Sequence, residues 1–484
     1  MNTAELTPVQ QECVDFPQDK HLAVRGVAGS GKSLVVAHRA IRFARAARKS
    51  GAPVRVAVFT FVNTLVDFTR ETIDRDGRDV ASDITISTLD KVVYNLYRRL
   101  TGRTVRGTYD SREKELDRAV KSVSEPDTAS RLRIVSEERR SWLMEEVAWM
   151  KQRMFSTVEE YLESPRRGRG RVRLERADRP YVFEIYKAFY DLLEKEGAVT
   201  IDMMCEAILK TNRPFPESFR YDVILIDEAQ DLPVNKLLVA RKLCRNAMTI
   251  AADFRQKIYS TGFTWKEIGL QINRGNSKKL QGTFRNTKQI ALLAMGLAKH
   301  NTESIEDEEP LQLEIPDREG PLPVLFKSGS KSEHDEIFAG LARKLAEEAA
   351  TQSIAVLVRQ KSDTFRYHKV LAELGIPCET VSREGQTKVL VPGFKVTTYH
   401  SAKGLEFDQV ILPDLVDGNF PYTYKQTDFS EEECENRLNE ARNLLYVGMT
   451  RARTMLYMLT RDTPTEDPSP LLSELDPELM KTVE

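Results

Sequence analysis

The sequence predicts an α/β protein of two parallel-sheet domains, the first interrupted by a helical insertion. Three observations carry that prediction. Short runs rich in Val, Ile and Leu recur along the 484 residues and alternate with helix-compatible segments, the pattern of strands buried on both faces of a parallel sheet. Two of these runs lead directly into chemistry-bearing loops: Leu22-Ala23-Val24 into Gly26-Val27-Ala28-Gly29-Ser30-Gly31-Lys32-Ser33, and Val223-Ile224-Leu225-Ile226 into Asp227-Glu228-Ala229-Gln230-Asp231. From about 93 to 196, by contrast, the chain is charged and helix-like, with no strong β-run.

Taken in order, residues 1–92 read as strand Leu22–Val24, a helix to about Arg48, and strand Val54–Thr60. Residues 93–196 read as an inserted helical subdomain, and 197–278 resume the first sheet with Val223–Ile226 and Ala247–Ala251. Residues 279–484 read as a second α/β domain. Its strands are expected at Val324–Phe326, Ile354–Val358, Lys395–Thr398, Val410–Leu412 and Met455–Leu459, with helices at 333–349 and 363–374. No internal repeat interrupts this pattern.

The first loop fits G-x-x-x-x-G-K-[ST] between a strand and a helix. Its glycines allow backbone N–H groups to close around phosphate oxygens, and the helix N-terminus adds positive potential. The second loop puts carboxylates at the end of a buried strand, where a magnesium ion and an attacking water need them. Either string alone has a bland reading, as a glycine-rich turn or as an ordinary loop entry. Together they point to binding and hydrolysis of a nucleoside triphosphate. Lys32 is expected on the β/γ-phosphates, Ser33 and Asp227 on Mg²⁺, and Glu228 on the water.

Composition narrows the setting. No apolar stretch is long enough to span a bilayer, and Met1-Asn2-Thr3-Ala4-Glu5 lacks the charged and apolar regions of a signal peptide, so a cytoplasmic protein is expected. Cys13, Cys205, Cys244, Cys378 and Cys434 form no C-x-x-C pair, which suggests neither a zinc site nor a disulfide framework. Lys and Arg number 72 against 73 Asp and Glu, so any nucleic-acid surface must be a local basic stripe. Acidic runs at Glu303–Glu309 and Glu431–Glu435 are expected as solvated loops.

Seven strings set the order: Leu6-Thr7-Pro8-Val9-Gln10, Phe59-Thr60-Phe61-Val62-Asn63, the Asp227–Asp231 loop already quoted, Asp253-Phe254-Arg255-Gln256-Lys257-Ile258-Tyr259, Thr283-Phe284-Arg285-Asn286-Thr287, Tyr399-His400-Ser401-Ala402-Lys403-Gly404-Leu405-Glu406-Phe407, and Leu445-Tyr446-Val447-Gly448-Met449-Thr450-Arg451-Ala452-Arg453. The chain resembles the superfamily 1A helicases, the UvrD/Rep/PcrA group, from about Leu6 to Tyr457. The resemblance implies two RecA-like domains, with ATP and Mg²⁺ held between them. It assigns Gln10 to the adenine edge, Gly26, Ala28, Gly29, Ser30, Gly31, Lys32 and Ser33 to the phosphates, and Glu406 to the ribose. Phe284 takes the position that stacks on adenine, although an ordinary core phenylalanine is the competing reading. Arg285 and Arg451 resemble the two arginines that reach the γ-phosphate, and Gln256 its sensor.

Phe61, Asn63, Tyr259, His400 and Ser401 fall at family positions that contact or neighbour single-stranded DNA, where aromatic groups can stack on any base. The basic stretch Arg166-Arg167-Gly168-Arg169-Gly170-Arg171-Val172-Arg173 is either a phosphate contact or a solvated loop. Three departures stand out. Leu34 occupies the place of an adenine-covering arginine, and Tyr259-Ser260-Thr261-Gly262-Phe263-Thr264 lacks the family's stacking aromatic in register. The third is larger: only Cys378 to Phe394 stands where the family carries its large 2B domain. The expectation is a reduced motor that moves 3′→5′ on single-stranded DNA and at single-strand/duplex junctions, with no membrane role. A DNA-stimulated ATPase serving a nuclease or a repair or defence partner is the alternative, and a non-catalytic nucleic-acid clamp the less favoured one.

Overall fold

The computed structural model describes residues 6–26, 29–51, 54–103, 112–123, 127–165, 174–253, 263–280, 286–299, 315–380, 391–421 and 431–484. Its strands are β1 (Leu22–Gly26), β2 (Val56–Thr60), β3 (Ile84–Thr88), β4 (Tyr221–Ile226), β5 (Cys244–Ala252), β6 (Ser277–Leu280), β7 (Val324–Ser328), β8 (Ser353–Val358), β9 (Cys378–Thr380), β10 (Gly393–Thr398), β11 (Phe407–Leu412), β12 (Ala452–Arg461) and β13 (Lys481–Val483). They form two sheets, six strands in the order β3-β2-β4-β5-β1-β6 and seven in the order β13-β7-β12-β11-β8-β10-β9. Every pairing is parallel.

Both sheets are buried on both faces, which is why their strands read as continuous apolar runs. In β2, Val56 and Val58 join one core while Ala57 and Phe59 join the other. In β4, Val223 and Leu225 alternate with Ile224 and Ile226 in the same way. The second sheet repeats this: Ala355 and Leu357 of β8 face one core, and Ile354, Val356 and Val358 the other.

Between β3 and β4 the described chain is helical. Helices Glu113–Ser122, Arg140–Arg153 and Arg179–Lys195 enclose a separate core that includes Trp142, Trp149, Tyr161, Phe183, Tyr186 and Phe189. Helices Leu89–Thr101 and Ile201–Lys210 instead pack onto the first sheet, through residues such as Val93, Leu96, Met204 and Ile208. Among the described residues no helix is long and apolar enough to cross a membrane.

The structure departs from expectation in several places. Glu431–Glu435 opens the helix Glu431–Met449 and is not a loop, in keeping with the preference for acidic side chains at a helix N-terminus. The edge strands β3, β6 and β13, and the helices Pro8–Asp15 and Asn63–Asp76, are additional elements. Pro8–Asp15 is held by Arg39, which is 1% exposed. Its guanidinium donates to the carbonyls of Cys13 (2.9 Å), Phe16 (2.6 Å) and Pro17 (3.0 Å) and to Thr249 Oγ1 (2.8 Å) on β5. Between β9 and β10 lie residues 381–392, close to the ~12-residue minimum of a parallel crossover, and no domain fits there.

Candidate active site

The site lies along the carboxyl ends of β1, β4 and β5, which are adjacent in the first sheet. The glycines leaving β1 are needed one by one. A Cβ on Gly26 would lie 2.3 Å from Ser30 Oγ, and one on Gly31 would lie 2.4 Å from Gln10 Nε2. Gly29 and Gly31 also take positive φ values of 77° and 83°. Gly31 precedes the helix Lys32–Ser50 without a side-chain cap, so the first N–H groups stay directed at the loop. Lys32, 6% exposed, donates from Nζ to the Gly26 carbonyl at 2.9 Å and sits 3.9 Å from Asp253. Ala28 lies outside the described residues.

Gln10 is tied to this loop rather than open to it. Its Nε2 donates to the Ser30 carbonyl at 2.9 Å, and its Oε1 accepts from the Thr7 N–H at 2.9 Å in a capping box. An amide has a second N–H and a second lone pair, so a base edge can still be met. The shape of the phosphate loop and the start of the chain are thus fixed together.

Beyond β4, Asp227 and Glu228 are buried, and Glu228 takes a left-handed φ of 52°. Burial, and then the charge of Glu228, push Asp227 up from 3.8 to about 6, against a hydrogen bond from Ser33 and the charge of Lys32. Glu228 goes the other way. Burial alone would raise it, but Lys32, Lys403 and Arg451, together with a hydrogen bond from Gln230, hold it below its usual value. The Gln230 amide donates to Glu228 Oε2 and accepts from the Asp253 N–H at 2.9 Å, linking the ends of β4 and β5.

Two buried atoms, Asp227 Oδ2 and Ser30 Oγ, have no hydrogen-bond partner among the described residues. A carboxylate oxygen without a donor, beside a serine hydroxyl at a helix start, suits a hard cation; a buried hydroxyl in a glycine loop suits a phosphate oxygen. No three His, Cys, Asp or Glu residues converge as a metal group among the described residues.

The second domain supplies cations. Arg451, 1% exposed, is held by the Val447 carbonyl (3.0 Å) and the Leu405 carbonyl (3.2 Å). Asn286 donates to the carbonyls of Thr450 (3.1 Å) and Ala452, on either side of Arg451, so the chain just after position 285 is pinned beside it. Lys403 makes an ion pair with Asp231 across the two domains at 2.7 Å, a contact the motif reading did not identify. Both residues lie in quoted motifs, but nothing in a linear string says which charges meet. Glu406 is half-buried beside this loop.

The nucleic-acid candidates divide by domain. Phe61 and Asn63 follow β2, with Phe61 packed against the first domain's core and Asn63 exposed. His400 and Ser401 follow β10, with Ser401 buried and bonded to Thr398 Oγ1 at 3.1 Å. Phe263 packs edge-to-face on Trp265, with ring centroids 5.5 Å apart at the margin of the first core. Gln256, Tyr259, Phe284, Arg285, Arg166, Arg167 and Arg169 lie outside the described residues.

A family model described as the UvrD/REP helicase N-terminal domain matches residues 6–264, and the UvrD-like helicase C-terminal domain matches residues 382–463. The chain is similar to ATP-dependent DNA helicase UvrD2 of Mycobacterium tuberculosis, 22% identical over 559 aligned positions that cover 94% of this chain and 78% of the relative. A shorter match, 37% identical, joins 21% of the chain to 14% of DNA helicase II of Escherichia coli. ATP-dependent DNA helicase PcrA of Leuconostoc citreum is 39% identical over 18% of the chain and 12% of its own length.

Proposed function

The chain belongs to the UvrD/REP helicase family, and from that premise we propose that it is an ATP-dependent motor that moves 3′→5′ along single-stranded DNA and opens duplex at a junction. The observation that carries the proposal is the meeting of two domains at one site. Glu228 on the first domain is ionised in the field of Lys32 from its own loop and of Lys403 and Arg451 from the second. Hydrolysis then depends on closure of the cleft, and closure is what moves a strand held by both domains.

The residues divide the work as follows. The backbone of Gly29, Ser30 and Gly31 and the Lys32 ammonium hold the phosphates, and Gln10 and Glu406 orient the base and ribose. Glu228 takes a proton from the attacking water, which its lowered pKa, by keeping it ionised, leaves it free to do at neutral pH. Arg451, joined by Arg285, neutralises charge on the transferred phosphoryl group. Ser33 and Asp227 would hold Mg²⁺, which supplies further neutralisation of the phosphate charge. Gln256 reports the state of the γ-phosphate. Phe61, Asn63, Tyr259, His400 and Ser401 track the strand, and Arg166, Arg167 and Arg169 add phosphate contacts. A DNA substrate implies a cytoplasmic setting.

A second reading is favoured by one observation, the short connection, residues 381–392, between β9 and β10. Without a domain there, the chain is a DNA-stimulated ATPase that serves a nuclease or a repair or defence partner and unwinds weakly alone. Steady-state ATP hydrolysis with and without an oligonucleotide tests the motor, and 3′- and 5′-tailed duplexes test polarity and unwinding. Strong stimulation with unwinding of the 3′-tailed duplex is expected. Stimulation without unwinding selects the second reading, and hydrolysis indifferent to DNA refutes both.

A further inference from the structure

The segment Tyr399–Leu405, leaving β10, touches the first domain at two points. Lys403 Nζ lies 2.7 Å from Asp231 Oδ1, with the side chains 5% and 1% exposed. Beside it, Gly404 takes φ +80° and has so little room that a Cβ would lie 2.5 Å from Leu65 Cδ2, on the helix Asn63–Asp76. The same segment carries His400 and Ser401. Asp231 in turn closes the turn that begins at the catalytic carboxylates, its N–H donating to the Glu228 carbonyl at 3.1 Å.

We infer that Lys403 is a positioning residue, whose ion pair with Asp231 fastens the strand-facing segment of the second domain to the turn that holds Glu228. The inference rests on the motor reading above. A buried ion pair gives little net stability, because its two charges give up their hydration to form it. Its effect is on geometry: one arrangement of the two domains satisfies both charges, and any other leaves a buried carboxylate near Glu228 uncompensated. With Gly404 seated against Leu65, the segment has a single register on the first domain. A strand gripped at His400 and Ser401 therefore sets the position of the hydrolytic carboxylate through two successive contacts, Lys403 to Asp231 and Asp231 to the Glu228 carbonyl.

The test uses the full chain and four variants: Lys403→Met, Asp231→Asn, the two combined, and the exchanged pair Lys403→Glu with Asp231→Lys. ATP hydrolysis is measured with and without oligo-dT, and ATP KM and thermal melting are followed. Each single change is expected to cut the DNA-stimulated kcat by about tenfold or more, the combined neutral pair by no more than either alone. ATP KM should stay within about twofold throughout, because the nucleotide contacts are elsewhere. Partial recovery in the exchanged pair supports the pairing. If a single variant melts early, the combined neutral pair, which leaves no lone buried charge, decides the matter. Full stimulation of Lys403→Met, or losses that multiply in the combined variant, overturns the inference while the motor reading stands. A native protein whose hydrolysis ignores DNA removes the motor reading and this inference together.

Discussion

Asp227→Asn should make the nucleotide-free protein more stable and catalytically inert. Burial and the neighbouring Glu228 push Asp227 from 3.8 up to about 6 in the folded chain. A carboxyl raised in this way destabilises the fold once pH exceeds the unfolded value, and the penalty is complete above the folded value. At ~1.4 kcal/mol per unit, the raised value sets an upper bound of ~3 kcal/mol at neutral pH, since the adjacent Glu228 shares the same burial and charge. Asparagine removes that charge, keeps an oxygen for the Glu228 N–H that Asp227 Oδ1 now accepts at 3.0 Å, and can donate to Ser33. For a domain of this size the gain amounts to as much as ~10 °C in melting temperature. Scanning calorimetry without nucleotide or Mg²⁺, at pH values near 7.5 and near 5, provides the assay. The variant should melt higher near 7.5, and the gap should shrink near 5, where protonation has already relieved the native protein. Mg²⁺-dependent hydrolysis should be lost at both. A variant that melts at or below the native protein near pH 7.5, or a gap equal at both pH values, refutes the reasoning.

Three other outcomes follow from the same geometry. Glu228→Gln should still bind ATP and DNA but hydrolyse ~10²- to 10⁴-fold more slowly, and a variant that no longer binds nucleotide would show that Glu228 has another role. Gly31→Ala must displace Gln10 and strain a φ of 83°, so ATP affinity by calorimetric titration should fall ~10-fold or more, while Gly51→Ala, in open space at the far end of the same helix, should leave it unchanged. If Arg166, Arg167, Arg169, Arg171 and Arg173 meet phosphates, changing all five to Ala should flatten the slope of log affinity against log salt by up to ~3 units, at about 0.7 per single-strand contact. An unchanged slope assigns them to a solvated loop.

The central strands were legible because a parallel sheet buries both strand faces, so Val223–Ile226 and Ile354–Val358 stand out as uninterrupted apolar runs. The sheet edges were not. Ile84-Thr85-Ile86-Ser87-Thr88 and Ser277-Lys278-Lys279-Leu280 are half polar, because an edge strand meets water on one side and its pattern merges with that of loops. Similarly, the phosphate loop and paired carboxylates declare themselves because their chemistry is local in sequence. Three features depend on distant partners and could only be seen folded: the Gln10 bond to the Ser30 carbonyl, the Asn286 bonds around Arg451, and the Lys403–Asp231 pair.

The connection from β9 to β10 also bears on how such a motor can be enlarged. β9 is an edge strand of the second sheet and pairs in parallel with β10, so chain added after Thr380 would leave from the carboxyl end of an edge strand and return at the opposite end of the sheet at Gly393. No buried strand need part to admit it. Lengthening a surface connection costs only ~0.6 kcal/mol for each doubling. The position is thus a natural grafting point, where an accessory module can be installed or deleted without repacking either core. A designer wishing to give this chain a duplex-gripping arm, or a fluorescent reporter of strand movement, would begin there.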